Sequence, residues 1–296
     1  MCESMITDLG ILWEWEHDVR FVNELDHCCQ RAGKSSYLVS RMNLKETIDR
    51  IRSEDLFFKV VLDRATDGDS GFIPIIQMHH QRNARIINQP EKVEQINNRI
   101  DLHLKFVQVD IKVPRSIIKN PYSEINYKDL DTIRYPLVIK TATGKGGGDG
   151  VILDVKTRDE LVWIEKHYQE EALLIQEHVE PKLLNNRRQW MRIFYVCGRI
   201  IPCFWDDQTH IYHRLSIEEE IQLGICQEIV TRIHELTRID FFSTEIVWTT
   251  YDQFVVVDYV NDQCDMRFQS DTPDGVPDAV VREITSALIK SLDEDK

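Results

Sequence analysis

Apolar and polar positions alternate along the first part of the chain with two different periods. Val19, Val22, Leu25 and Cys29 recur at helical spacing, and Ala32-Gly33 stops the run. Tyr37-Leu38-Val39 then reads as a short strand, Leu44, Ile48 and Ile51 as a second helix, and Phe57 to Leu62 as a buried strand ending at Asp63-Arg64. Ile11 to Trp15 reads as the first strand, Ile73 to Met78 is another apolar stretch, and Ile86-Ile87-Asn88 is a brief strand before Pro90. Strands separated by helices imply a parallel sheet. His79-His80, just ahead of Asn83, is expected on a surface loop.

Beyond Pro90 the pattern changes. Val93, Ile96, Ile100, Leu104 and Val107 form one helical stripe over 91–107, and Leu161, Ile164 and Tyr168 mark another helix. Strands are expected at 137–140, 151–153, 173–177, 190–197, 199–205, 243–249 and 254–260, with a long helix near 218–236. Closely spaced strands of this kind pair as antiparallel hairpins. The expected architecture is a small α/β parallel-sheet region over 1–90, a helix plus a small α+β lobe over 91–180, and a larger α+β lobe over 181–296.

Composition narrows the function. The net charge of −14 opposes a broad nucleic-acid footprint, because neutralising phosphates takes clustered lysine and arginine. It leaves room for one anionic ligand in a local basic pocket. No apolar run approaches the ~20 residues of a membrane span, and the start of the chain lacks the order of a signal peptide. Seven cysteines without a C-x-x-C pair point to reduced thiols, hence to the cytoplasm.

Two stretches carry candidate chemistry. In Lys140-Thr141-Ala142-Thr143-Gly144-Lys145-Gly146-Gly147-Gly148-Asp149-Gly150-Val151, five of the 12 glycines in the chain lie within seven positions, between two strands. Glycines let backbone N–H groups wrap closely around an anion, and flanking lysines add charge. The spacing is neither that of a Walker A loop nor Gly-x-Gly-x-x-Gly, so a phosphate-covering flap fits better. Near the C-terminus, paired strands carry Glu245 and Asp258, with Asn261 just beyond. Magnesium commonly takes one or two carboxylates plus substrate phosphates. Asp63-Arg64-Ala65-Thr66-Asp67 follows a parallel strand, where open α/β sheets bind ligands.

In this order the elements resemble the ATP-grasp superfamily, in particular its glutathione synthetase-like and ribosomal-protein glutamate ligase-like carboxylate–amine ligases. The resemblance implies ATP gripped between antiparallel sheets, with magnesium or manganese, and a carboxylate joined to an amine through an acyl-phosphate. It assigns Lys140, matching the second nucleotide lysine, to the nucleotide and to catalysis, and puts Arg99, at the matching spacing before Pro114-Arg115-Ser116, in place of the first nucleotide lysine. Gly144, Gly146, Gly147 and Gly150 match the flap. Gln176-Glu177-His178-Val179 matches the adenine hinge, and Glu180 is the candidate for the ribose. Arg192 matches an arginine placed to steady the transferred phosphoryl group. Glu245 matches the first metal carboxylate.

The family's usual Glu-x-Asn is replaced here by Asp258-Tyr259-Val260-Asn261. Positions three apart face opposite sides of a regular strand. Either a bulge brings Asp258 and Asn261 together, or Asp262 substitutes for one of them. Gln263 to Arg267 replaces a Ser-Pro-Gly segment near the acceptor, which makes Arg267, with Arg64, a substrate candidate. The expected partners are a small-molecule or peptide carboxylate and an amine; nucleic acid and membrane are not expected, and self-association is left open. Two other readings remain: an ATP-grasp kinase acting on a hydroxyl, and a nucleotide-binding regulatory protein without turnover.

Overall fold

The computed structural model describes residues 5–144, 148–216, 218–219 and 223–293. Lys145, Gly146 and Gly147 of the flap, the tip of the C-terminal acidic tail and the expected start of the long helix fall outside them.

The N-terminal strands β1 (Met5–Trp13), β2 (Ser36–Val39), β3 (Leu56–Arg64) and β4 (Arg85–Ile87) form a parallel sheet in the order β2-β1-β3-β4. Their crossovers are helices α1 (Val19–Arg31), α2 (Leu44–Arg52) and α3 (Ile73–Gln81). The apolar stretch at Ile73 is thus a helix, with Pro74 in its first turn where a missing N–H costs nothing. His79 sits in that helix rather than on a surface loop. It is fully buried, its Nδ1 against Ile75 O and its Nε2 accepting from Phe58 N.

The helical stripe after Pro90 is broken into α4 (Pro90–Ile96) and α5 (Arg99–Gln108). Asn98 causes the break. Its side chain accepts from Ile100 N and Asp101 N, capping α5 and starting a new helix axis. Strands β5 (Ser116–Lys119), β6 (Leu137–Thr141), β7 (Val151–Val155) and β8 (Leu173–Glu177) form an antiparallel sheet in the order β5-β8-β6-β7, covered by α6 (Arg158–His167). The glycine-rich segment links β6 to β7, which pair directly.

A short hairpin, β9 (Leu183–Leu184) with β10 (Arg187–Arg188), leads into the largest sheet. Strands β11 (Trp190–Val196), β12 (Arg199–Trp205), β13 (Tyr212–Arg214), β14 (Phe241–Trp248) and β15 (Phe254–Asn261) are all antiparallel, in the order β13-β12-β11-β14-β15. Helices α7 (Gly224–Thr237) and α8 (Asp278–Lys290) complete the chain. Among the described residues no helix is long and apolar enough to cross a membrane.

The two faces of the five-stranded sheet bury different partners. One face, through Phe194, Cys203 and Phe241, shares a core with α8, α1 and the parallel sheet. The other, through Ile193, Phe242, Ile246 and Val256, packs on α5 and α7. Asn88 clips the two sheets together: its side-chain carbonyl accepts from Asp240 N and Phe241 N, and its amide donates to Phe241 O.

Candidate functional site

Arg192 on β11 lies opposite Glu245 on β14, and Glu245 lies opposite Asp258 on β15. Residues in register on paired strands share a face, so the sheet presents one row of charged side chains. Glu245 is buried, yet both its oxygens have donors: Arg192 Nη2 on Oε1, and Trp190 Nε1 on Oε2 at 3.0 Å. Arg192 also donates to the Tyr212 hydroxyl at 2.9 Å and lies 4.6 Å from the Trp205 ring centroid. Burial opposes its charge, but the Glu245 carboxylate outweighs this and holds its pKa above the ordinary arginine value. Its Nε is buried without a partner.

The ladder between β14 and β15 is irregular. Ser243 faces Asn261 and Glu245 faces Asp258, two steps on one strand against three on the other. A β-bulge therefore lies between Asp258 and Asn261, and it brings both to the face of Ser243 and Glu245. Tyr259 and Val260, the two residues inside it, both turn to the opposite face and pack in that core. Asp258's carboxylate has no hydrogen bond or ion pair among the described residues. Asp262 belongs elsewhere: its charged neighbours are Asp67, Asp63 and Arg64, and burial pushes its carboxyl up to about 6.

Lys140, at the end of β6, reaches across to β15. Its amine donates to Val257 O at 2.7 Å and lies 5.6 Å from the Tyr259 ring centroid. Desolvation lowers its pKa, against the opposing pull of Asp258 and Glu245. Arg99, the first residue of α5, donates to the carbonyls of Thr141 and Asp149 at 3.3 and 3.0 Å. Among the described residues neither Lys140 nor Arg99 forms an ion pair. Gly144 and Gly150 make the close approach possible. A Cβ at 144 would lie 2.5 Å from the Arg99 guanidinium, and one at 150 only 2.0 Å from Thr141 Oγ1, with φ of +66° besides. The described ends of the flap, at Gly144 and at Asp149-Gly150, thus close against a guanidinium.

The hinge segment leaves the cleft along β8. Gln176 is buried, and its amide donates to Ser116 Oγ and to the Tyr259 hydroxyl at 3.2 and 2.9 Å. Glu177 N bonds Arg115 O, and His178 N bonds Pro136 O. No hydrogen bond involves the backbone N–H of Val179 or Glu180 among the described residues. Glu180 is exposed and pairs with Arg188 and His178.

The two substrate candidates are engaged internally. Arg64 forms a two-pronged pair with Asp18 and donates to Cys264 O, leaving Nη1 without a partner. Arg267 is held by Asp265 and Asp274. Either would have to exchange a partner to hold a substrate. Two residues at the site drew no attention in the sequence: Tyr212, on a three-residue strand too short to be noticed, and His103, on the buried side of α5, bonded through Nδ1 to the Tyr259 hydroxyl at 2.6 Å.

The donor set suits a hard cation of modest demands. Among the described residues no group of three or more His, Cys, Asp or Glu could hold a metal. Two carboxylates and an amide, Glu245, Asp258 and Asn261, share one face, and magnesium needs few protein ligands when phosphates supply the rest.

No family model matches the sequence, and no curated protein matches it. Solved structures do match in shape. A RimK domain ATP-grasp protein from Sphaerobacter thermophilus is 17% identical with a TM-score of 0.66, covering 96% of this chain and 99% of its own. D-alanine–D-alanine ligase from Bacillus anthracis, complexed with ATP, is 11% identical with a TM-score of 0.68, over 98% and 97%. The ATP-grasp ligase PsnB, complexed with minimal precursor, Mg and ADP, is 12% identical with a TM-score of 0.69, over 97% and 99%. At such identities the likeness is one of fold.

Proposed function

We propose, from the ATP-grasp fold that this chain shares with those structures, that it is an ATP- and magnesium-dependent ligase. It would join a carboxylate to an amine through an acyl-phosphate and release ADP and phosphate. The observation that carries this reading is the pair of cations at the flap. Lys140 and Arg99 are held against carbonyls and lack any ion pair among the described residues. A partly buried cation without a counter-ion is costly, and a polyphosphate would supply the missing charge.

In this reading Lys140 and Arg99 bind the phosphates together with the flap glycines, Gly144 and, outside the described residues, Gly146 and Gly147. Gln176 to Val179, at and just past the end of β8, meet the adenine, and Glu180 the ribose. Glu245, Asp258 and Asn261 hold the magnesium, for which manganese could substitute. Held there, the cation would supply positive charge that offsets that of the phosphates. Arg192 orients the transferred group. It can do so only by loosening from Glu245, because its one unpartnered nitrogen, Nε, is buried. Arg64 and Arg267 remain the candidates for acceptor contact, and the acceptor is a small molecule or a peptide. The titratable groups give no separate sign of a hydroxyl-directed kinase.

Thermal shift with ATP, with and without magnesium, is the first test. A ligand at 100 times its Kd adds about 2.7 kcal/mol, so millimolar Mg-ATP should raise the melting temperature clearly and ATP in EDTA only slightly. An unmoved melting temperature sinks the nucleotide reading. Trapping of a hydroxamate from candidate carboxylates then separates ligase from kinase, and absence of ADP release with any acceptor favours a regulatory protein.

A further inference from the structure

Tyr259, on β15, touches Gln176 on β8 and Lys140 on β6, across the two antiparallel sheets, and nothing in the proposed chemistry uses it. It sits inside the bulge, between the two residues that the register brings to the metal-facing side. Its hydroxyl lies 2.6 Å from His103 Nδ1 on α5 and 2.9 Å from Gln176 Nε2 on β8. The Gln176 amide can only donate, so the phenol oxygen accepts there; in the His103 tautomer with Nδ1 unprotonated, the phenol hydrogen goes to Nδ1. The ring beneath is packed against Phe106 and supports the Lys140 amine, which is also bonded to Val257 O two residues earlier.

We infer that Tyr259 is a positioning residue: its phenol, clamped between His103 and Gln176, pins the bulge that turns Asp258 and Asn261 to one face and seats Lys140 beside them. The inference rests on the nucleotide reading above. Its physical content is that a bulge is a locally weakened ladder, because one residue is left unpaired. Side-chain anchoring from outside the ladder must then fix where the flanking residues point. The anchor here comes from the hinge strand and from the helix that carries Arg99. The hydroxyl thereby sets the metal-facing carboxylate and amide, while Lys140 rests on the ring alone.

The test uses the full chain and measures ATP affinity by calorimetry in EDTA and in magnesium, alongside urea stability. Tyr259→Phe keeps the ring under Lys140 and removes only the hydroxyl. It should leave affinity in EDTA near the wild-type value but reduce the gain due to magnesium by about tenfold, the usual scale for one buried hydrogen bond left unmade. His103→Leu should do the same, whereas His103→Asn, whose side-chain carbonyl can stand where Nδ1 was, should recover most of the gain. A merely structural role would lower urea stability and shift both affinities together, leaving their ratio unchanged; that result overturns the inference. If Tyr259→Phe does not fold, the contrast between the two His103 variants decides it alone. Failure of the wild-type protein to bind ATP in either condition removes the nucleotide reading and this inference with it, whereas an intact magnesium gain in Tyr259→Phe removes the inference only.

Discussion

At the carboxyl end of the parallel sheet, Arg64 and Asp18 are almost fully enclosed, with side-chain exposures of 4% and 1%, and are joined by bonds of 2.6 and 2.9 Å. Around them the surplus is negative: burial raises the carboxyl pKa of Asp63, and that of Asp262 to about 6. In the cleft between the antiparallel sheets the surplus is positive. Burial lowers the pKa of Lys140, and that of His103 to about 4. Both regions bury charge, so burial alone does not mark where a ligand goes. What differs is the sign of the charge left over. The cleft's two carboxylates, Glu245 and Asp258, leave cations over, whereas the sheet end has already matched its arginine.

That contrast is broken most directly at the matched pair. Asp18→Ala strands a buried guanidinium, and breaking such a pair from one side typically costs about 3–5 kcal/mol. Urea denaturation should show a loss of that order, with magnesium-dependent ATP affinity preserved in whatever protein folds. A loss below about 1 kcal/mol, the range of exposed pairs, would mean that water reaches Arg64 and that the sheet end is not closed. In the cleft the same kind of deletion should read out in function instead. Arg192→Ala should slow turnover by ~10²–10³ with little change in ATP affinity, as for other donors placed where charge develops. Lys140→Ala should weaken ATP binding by about tenfold or more, the scale of a charge-assisted hydrogen bond. Equal effects of both changes on affinity would show that the two cations do not divide the work.

Much of this contrast could be read from the residues themselves. The period switch near Pro90 and the cluster of glycines between two strands announced the fold class. The carboxylates on paired strands announced a place for chemistry, though their roles rest on the proposal. What stayed hidden depended on contacts remote in sequence. Asn98 split one expected helix because its side chain, not its hydrophobicity, set the axis. His79 looked like a loop residue because its polarity masked two buried partners, Phe58 N and Ile75 O. Arg64 looked available because nothing in the sequence joins it to Asp18, 46 positions away. The bulge at Tyr259 was one of two alternatives, and periodicity could not choose because the anchoring partners are His103 and Gln176.

The smallest expected effect is also the most selective for the cleft. His103 is 6% exposed, and burial first and the Lys140 charge second lower its pKa from 6.5 to about 4. The unfolded chain therefore takes up a proton near pH 6.5 that the native protein refuses until about pH 4. The stability due to neutral His103 is fully present above the unfolded value and is lost as pH falls through this window. Between about pH 7 and about pH 5.5 the loss should be about 1 kcal/mol. His103→Asn has no such proton to bind, so its urea stability should fall less over the same range. Bound Mg-ATP should flatten the wild-type slope further, because phosphates beside Lys140 offset the repulsion that keeps His103 neutral. Identical slopes for wild type and His103→Asn would mean that His103 is not held neutral, and the cleft would lose one of the two groups that mark it as short of anions.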